Sequence, residues 1–196
     1  MNAKQLLVKK ILENYGAYSW SLQGLGMLRL SLSREIRMHV WDNRYAVPGV
    51  STVHDHPWDF ESEIIVGEMR NVRYHCHGAL KIAHFRYPNH DPKYNKQTII
   101  CGPGGCAMGE PEAVFLDREP PERYLAGSVY VQKRDEIHDS KFIDGTVTLV
   151  TRTFYEDTEH AHVFWQGDKW VSAEPRPANL VEVRAIVNNA LETWFS

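Results

Sequence analysis

Gly49-Val-Ser-Thr-Val-His54-Asp-His56-Pro-Trp-Asp-Phe-Glu61-Ser-Glu63-Ile-Ile-Val-Gly67 is the stretch on which the reading of this chain turns. Val50–His54 and Glu61–Val66 are rich in β-branched and apolar residues, and the Pro-Trp-Asp between them breaks the run. The pattern reads as two strands joined by a turn. On a strand, residues i and i+2 point to the same face, so His54 and His56 present two imidazoles side by side. A hairpin can return Glu61 beside them. Neutral imidazole is the commonest metal-ligating side chain, and two of them at this spacing can share one ion.

The same texture extends in both directions. Candidate strands are Met27–Ser33, Ile36–Trp41, Asn71–His77, Leu80–Tyr87, Thr98–Cys101, Ala113–Leu116, Ser128–Gln132, Thr146–Phe154 and His162–Gln166. Short strands in succession, with no helical periodicity among them, predict an antiparallel sandwich or barrel over about residues 27–166. The longest loop expected is Pro88 to Pro111, with Gly102-Pro103-Gly104-Gly105 as a turn inside it. An amphipathic helix is predicted at each end. The first spans residues 3–15, capped by Asn2, with Leu6, Leu7, Ile11 and Tyr15 on one side. The second spans 179–194, capped by Asn179 with Glu182 as its capping-box partner, and carries a stripe of Leu180, Val183, Val187, Leu191 and Trp194. The whole chain reads as a single domain.

Composition bounds the function. The 196 residues carry 22 Lys+Arg against 25 Asp+Glu, a near-neutral balance with no electrostatic footprint for nucleic acid or an anionic membrane. The longest unbroken apolar run is four residues, Ala113–Leu116, too short for a spanning helix. Three cysteines without a Cys-x-x-Cys spacing exclude a disulfide framework and a zinc ribbon. The first sixteen residues lack the apolar core and cleavage site of a signal peptide, so a cytoplasmic location is expected. There is no Gly-x-Ser-x-Gly, no His-Glu-x-x-His and no P-loop.

Ten histidines are the unusual feature. Two further His-x-His pairs occur, His75/His77 and His160/His162. The first reads as a sheet-edge pair or a neighbour of a metal site, the second as a solvated loop or a secondary divalent site. A single histidine, His138, follows the segment that begins at Gly127.

Together these segments resemble the two motifs of the cupin superfamily. His54, His56, Glu61 and Gly67 take the places of the first motif, and Gly127 and His138 those of the second. Lys133 and Asp135 stand where that family usually has a proline and a glycine. More narrowly, His-Asp-His-Pro-Trp-Asp-Phe is similar to a group of bacterial cupins of largely unassigned function, and more distantly to the thiol dioxygenases. The resemblance covers about residues 49–155. It implies a mainly β fold, a double-stranded β-helix of jelly-roll type with flanking N- and C-terminal helices. It also implies one divalent metal held by His54, His56 and His138, with Glu61 as a fourth ligand. Counted back from Gly67, the acidic position falls near Phe60 instead, and Glu63 shares Glu61's face.

The resemblance makes Fe(II) the favoured ion, with Zn, Ni or Mn as alternatives, among which affinity order alone does not choose. The expected activity is that of an Fe(II)-dependent dioxygenase acting on a small molecule of thiol or enol/diketone type. A metal-assisted isomerase or lyase and a non-catalytic metal- or ligand-binding cupin are the alternatives. Tyr130 and Arg73 are the candidate catalytic side chains, Tyr as a proton or hydrogen-bond donor and Arg as a clamp for a substrate carboxylate. A homodimer is a further implication of the resemblance.

Overall fold

The computed structural model describes residues 1–78, 93–102, 105–154, 160–172 and 174–195. Fifteen strands and two α-helices build it among the described residues. Helix α1 (Ala3–Glu13) opens the chain. Strands β1 (Ser21–Gln23), β2 (Leu25–Ser31), β3 (Ile36–Ala46), β4 (Val53–His54) and β5 (Asp59–Val66) follow. Next come β6 (Glu68–Gly78), β7 (Lys93–Gly102), β8 (Gly105–Met108), β9 (Glu112–Arg118) and β10 (Glu122–Leu125). The last strands are β11 (Val129–Gln132), β12 (Ile137–Phe142), β13 (Val147–Thr153), β14 (His160–Trp165) and β15 (Arg176–Pro177), before helix α2 (Leu180–Phe195).

The strands form two antiparallel sheets packed together. The first has the order β11-β5-β13-β3-β2-β1-β15. The second runs β10-β6-β12-β4-β14-β7-β8, and β9 pairs with both β6 and β7. Its pairings therefore close a circuit, β6-β12-β4-β14-β7-β9-β6. Closing a sheet removes exposed edges, which otherwise invite pairing with another chain.

Three apolar layers hold these parts. Helices α1 and α2 cover the outer face of the first sheet. Val8, Ile11 and Leu12 from α1, and Val183, Ile186, Val187 and Ala190 from α2, pack on Leu28, Leu30, Met38, Val40, Ile65 and Val147. Each such side chain contributes roughly 1.5–3 kcal/mol when fully buried. Between the sheets lie Phe60, Ile64, Tyr130 and Val150 from the first and Met69 and Phe142 from the second. Val53, Val114, Leu116, Ile137 and Phe164, with Tyr74 and Tyr94 against them, form the third layer, within the circuit.

The helix caps match the sequence expectation. Asn2 and Gln5 form a reciprocal capping box on α1, and Asn179 and Glu182 form another on α2. The buried stripes differ from those expected. On α1 the inward residues are Val8, Ile11 and Leu12, while Leu6 and Leu7 face solvent. On α2, Ile186 and Ala190 are buried and Leu180 is exposed. The neighbouring sheet, not the count of apolar residues, selects which side of a helix turns inward.

Two expectations along the chain are corrected. The segment 88–111 is not one long loop: β7 and β8 form a hairpin paired from Ile99↔Met108 to Gly102↔Gly105. The candidate strands also omit Ile137–Phe142, which follows the turn at 134–135 and forms β12, the strand that carries His138. The expected strand Leu80–Tyr87, and Pro103-Gly104 of the expected turn, lie outside the described residues.

Gly67 and Asp135 are the two positions where backbone conformation matters for the site. Gly67 joins β5 to β6 at φ +85°, and a Cβ there would stand 2.4 Å from Thr146 Oγ1. Asp135 adopts φ 59°, the left-handed conformation in which Asp is tolerated better than most residues. Its N–H donates to the His56 carbonyl at 3.0 Å, which ties the turn before β12 to the second histidine.

Candidate metal centre

His54 ends β4 and His138 lies on β12, and the two are direct cross-strand partners. Directly opposed residues of an antiparallel pair share a face, so their imidazoles meet. His56 follows β4 on the chain that crosses toward β5. The ring centroids of His54 stand 4.7 Å from both His56 and His138, and those of His56 and His138 are 5.2 Å apart. One ligand nitrogen from each lies within 4.8 Å of the others. The closest pair, Nε2 of His56 and Nε2 of His138, is 3.2 Å apart. A metal about 2.1 Å from two imidazole nitrogens at a right angle sets them about 3 Å apart, so this spacing suits a shared ion.

The hydrogen bonds select the tautomers such an ion needs. His54 Nδ1 donates to the Thr52 carbonyl at 2.8 Å, and His138 Nδ1 donates to Asn71 Oδ1 at 3.1 Å. With the proton held on Nδ1, each Nε2 keeps its lone pair for the common point. Asn71 is itself fixed. Its oxygen accepts from Ser140 Oγ at 2.9 Å, and its amide faces Gln132 Oε1 at 3.4 Å. Gln132 in turn donates to the carbonyl and carboxylate of Glu136. Burial holds all three histidines below the usual imidazole range. For His56 and His138 the neighbouring imidazoles add to this, while for His54 the Thr52 carbonyl pulls the other way. The donor set is therefore neutral near pH 7, the form that binds metal.

Asp55, between the two ligand histidines, anchors the segment from the other side. Its carboxylate accepts from the His162 backbone N–H at 2.6 Å and pairs with His162 Nδ1 at 2.7 Å. His162 is thus not in a solvated loop; it lies on β14 and holds the segment that carries His54 and His56. Aromatic rings line the centre. Trp58 stacks on His56 at 5.4 Å, and Phe60 meets His56 edge-on at 5.2 Å and lies 6.1 Å from His138.

Glu61 is not brought to the cluster. Along β5 Phe60, Ser62 and Ile64 are buried on one face, while on the other Glu61 is exposed and Glu63 pairs outward with Lys4 at 2.7 Å. The alternation of a strand puts Phe60 toward the histidines and both glutamates on the opposite face. Phe60 therefore occupies the place to which counting back from Gly67 leads. Tyr130 is the cross-strand neighbour of Ser62 and packs against Phe60 at 5.8 Å, one ring removed from the histidines. Burial pushes its phenol up to about 12, so it stays protonated and cannot serve as a base. Arg73 pairs with His138 in register, yet its guanidinium is held by Glu122 at 2.5 Å and Glu136 at 3.3 Å. Committed to two carboxylates, it braces the Gln132–Glu136 end of the network and is not free to clamp a substrate.

His75 and His77 lie apart from the cluster, pairing with Glu119 at 2.6 Å and Asp117 at 2.7 Å. The sequence reading missed Asn71, Ser140 and Asp55. Asn71 and Ser140 are cross-strand partners on the face that carries His138, and alternation from His138 along β12 reaches Ser140. Asp55 had no signal of its own beyond lying between two histidines. No family model matches the chain, and no curated protein matches it.

Proposed function

We propose that this chain is a metal-dependent enzyme of the cupin type, in which His54, His56 and His138 hold one divalent ion, Fe(II) by preference. The observation that carries the reading is the convergence of three neutral imidazoles, two of them locked with Nδ1 protonated, at the interior of a two-sheet β fold. Circuit closure of the second sheet and flanking terminal helices support the double-stranded β-helix assignment.

Three imidazole ligands leave further coordination positions to other molecules, which suits substrate and O₂ together on Fe(II) and favours a dioxygenase acting on a small thiol, enol or diketone. The chain supplies the surroundings. Asn71, Thr52 and Asp55 fix the ligands, and Phe60 and Trp58 form an apolar wall that limits water at the centre. Tyr130, kept protonated, can donate a hydrogen bond but cannot act as a base. The test is anaerobic reconstitution with Fe(II), followed by oxygen uptake with small thiols and diketones. Uptake that depends on both iron and substrate is the expected result. Tight Zn or Ni in the purified protein with no uptake for any substrate would move the assignment to a metal-assisted isomerase or a non-catalytic binder.

A further inference from the structure

The inner face of the first sheet carries a second group of charged side chains beside the histidines. Arg29 on β2 is the direct partner of His39 on β3. Arg37 lies two residues from His39 on the same face and is partnered across β13 by Val150, two residues from Arg152. Alternation therefore puts Arg29, Arg37 and Arg152, from three adjacent strands, on one face with His39 and Trp41. Arg152 is 7% exposed. The Nε groups of Arg37 and Arg152 and Nε2 of His39 are buried without a hydrogen-bond partner.

Cations outnumber carboxylates around this group. Among the described residues, none of the three guanidiniums forms an ion pair with a carboxylate. The carboxylate that Arg152 feels is Glu35, which accepts from Ser33 Oγ, and Arg152 Nη2 donates to the Arg34 carbonyl. Arg29 Nε donates to Ser21 Oγ at 3.1 Å. Burial lowers Arg37 to about 9 and Arg152 to about 10, and the neighbouring cations add to the effect. Buried like charges without counterions are unfavourable in the free protein. Such a cluster gains its partner when an anion binds.

Trp58 joins this group to the metal centre. One indole stacks on His56 at 5.4 Å and lies 5.9 Å from the Arg37 guanidinium and 5.2 Å from that of Arg152. We propose that Arg29, Arg37 and Arg152 form a subsite for a dianionic oxyanion group of the substrate, a phosphate monoester or a dicarboxylate, held across Trp58 from the three-histidine centre. The assignment to a substrate rests on the metal-centre reading; the anion site itself does not.

The test is calorimetric titration of the full chain with inorganic phosphate and with succinate, against acetate at matched ionic strength. Phosphate, succinate or both should bind, with acetate weaker; phosphate alone points to a phosphoryl group and succinate alone to a dicarboxylate. Arg37→Gln and Arg152→Gln should each weaken binding roughly tenfold or more, the loss expected for a charge-assisted hydrogen bond. Arg37→Met should abolish binding and raise the Tm of the ligand-free protein, because it removes a half-buried cation that has no ion-pair partner among the described residues. Dianion binding no stronger than acetate, unchanged binding in the Arg37→Gln/Arg152→Gln double variant, or a lower ligand-free Tm for Arg37→Met would each overturn the proposal. Metal content of the same samples separates the two readings. Anion binding that depends on Arg37 in a wild-type protein that takes up no metal would sink the metal centre and leave the anion site standing.

Discussion

His54/His56 and His75/His77 are the same three-residue pattern with opposite outcomes. Each has a histidine, one intervening residue and a second histidine. The first pair meets His138 across the β4–β12 pairing, and its half-buried rings stand among imidazoles and aromatics. The second lies where β6 pairs with β9, and its rings end on Glu119 and Asp117 near solvent. His160/His162 is intermediate: His162 is captured by Asp55 and His160 is exposed. Spacing sets which residues share a face, but the strand opposite sets what they meet. Imidazole facing imidazole leaves lone pairs for an ion; imidazole facing carboxylate is already satisfied.

That contrast can be broken most directly at His138. Replacing it with alanine is expected to reduce bound metal to trace amounts by elemental analysis, whereas His75→Ala/His77→Ala should keep the wild-type content. Metal lost from the second variant and kept in the first would reverse the assignment. One step outward, Asn71→Ala frees the His138 ring and should lower metal affinity by about 10–100-fold, as loss of a ligand's hydrogen-bond partner does. A competition titration with a chromogenic chelator reads this.

The third pair sharpens the comparison through stability. His162→Ala leaves the buried Asp55 carboxylate with the backbone N–H alone and should cost about 1–3 kcal/mol in urea unfolding. No change would mean that Asp55 does not anchor the ligand segment. His39, half-buried on β3 and in none of the pairs, tests the effect of desolvation. Burial and the nearby Arg37, Arg29 and Arg152 lower it to about 3. The unfolded chain, with imidazole near 6.5, then binds the proton more readily than the folded one. Stability is therefore complete above about pH 6.5 and falls as the pH drops toward 3, by at most ~1.4 kcal/mol per pH unit for this group. Urea midpoints across that range should fall less steeply in His39→Gln; an identical slope would show that His39 is not held neutral. The smallest effect belongs to the solvent-facing pair, where His75→Ala/His77→Ala should change stability by no more than about 0.5 kcal/mol.

Much of the fold was readable beforehand because local rules govern it. The capping boxes at Asn2 and Asn179 and the apolar runs of β2, β3, β5 and β13 follow from neighbouring residues alone. Strand β12 escaped because two of the three residues on its inward face, His138 and Ser140, are polar, and Phe142 alone does not make the apolar alternation that marks a half-buried strand. Glu61 misled because motif spacing suggested a ligand while strand alternation faced it outward. The arginine group was invisible because its members come from three strands and become neighbours only through sheet register.

Residue order alone determined a β-rich chain with a helix at each end and two histidines one residue apart, since periodicity and capping act over a few residues. Tertiary structure decided which pair gained a third imidazole, which glutamates turned away, and where three guanidiniums met without counterions. Those outcomes depend on contacts between segments tens of residues apart, and only the packing of the sheets specifies them.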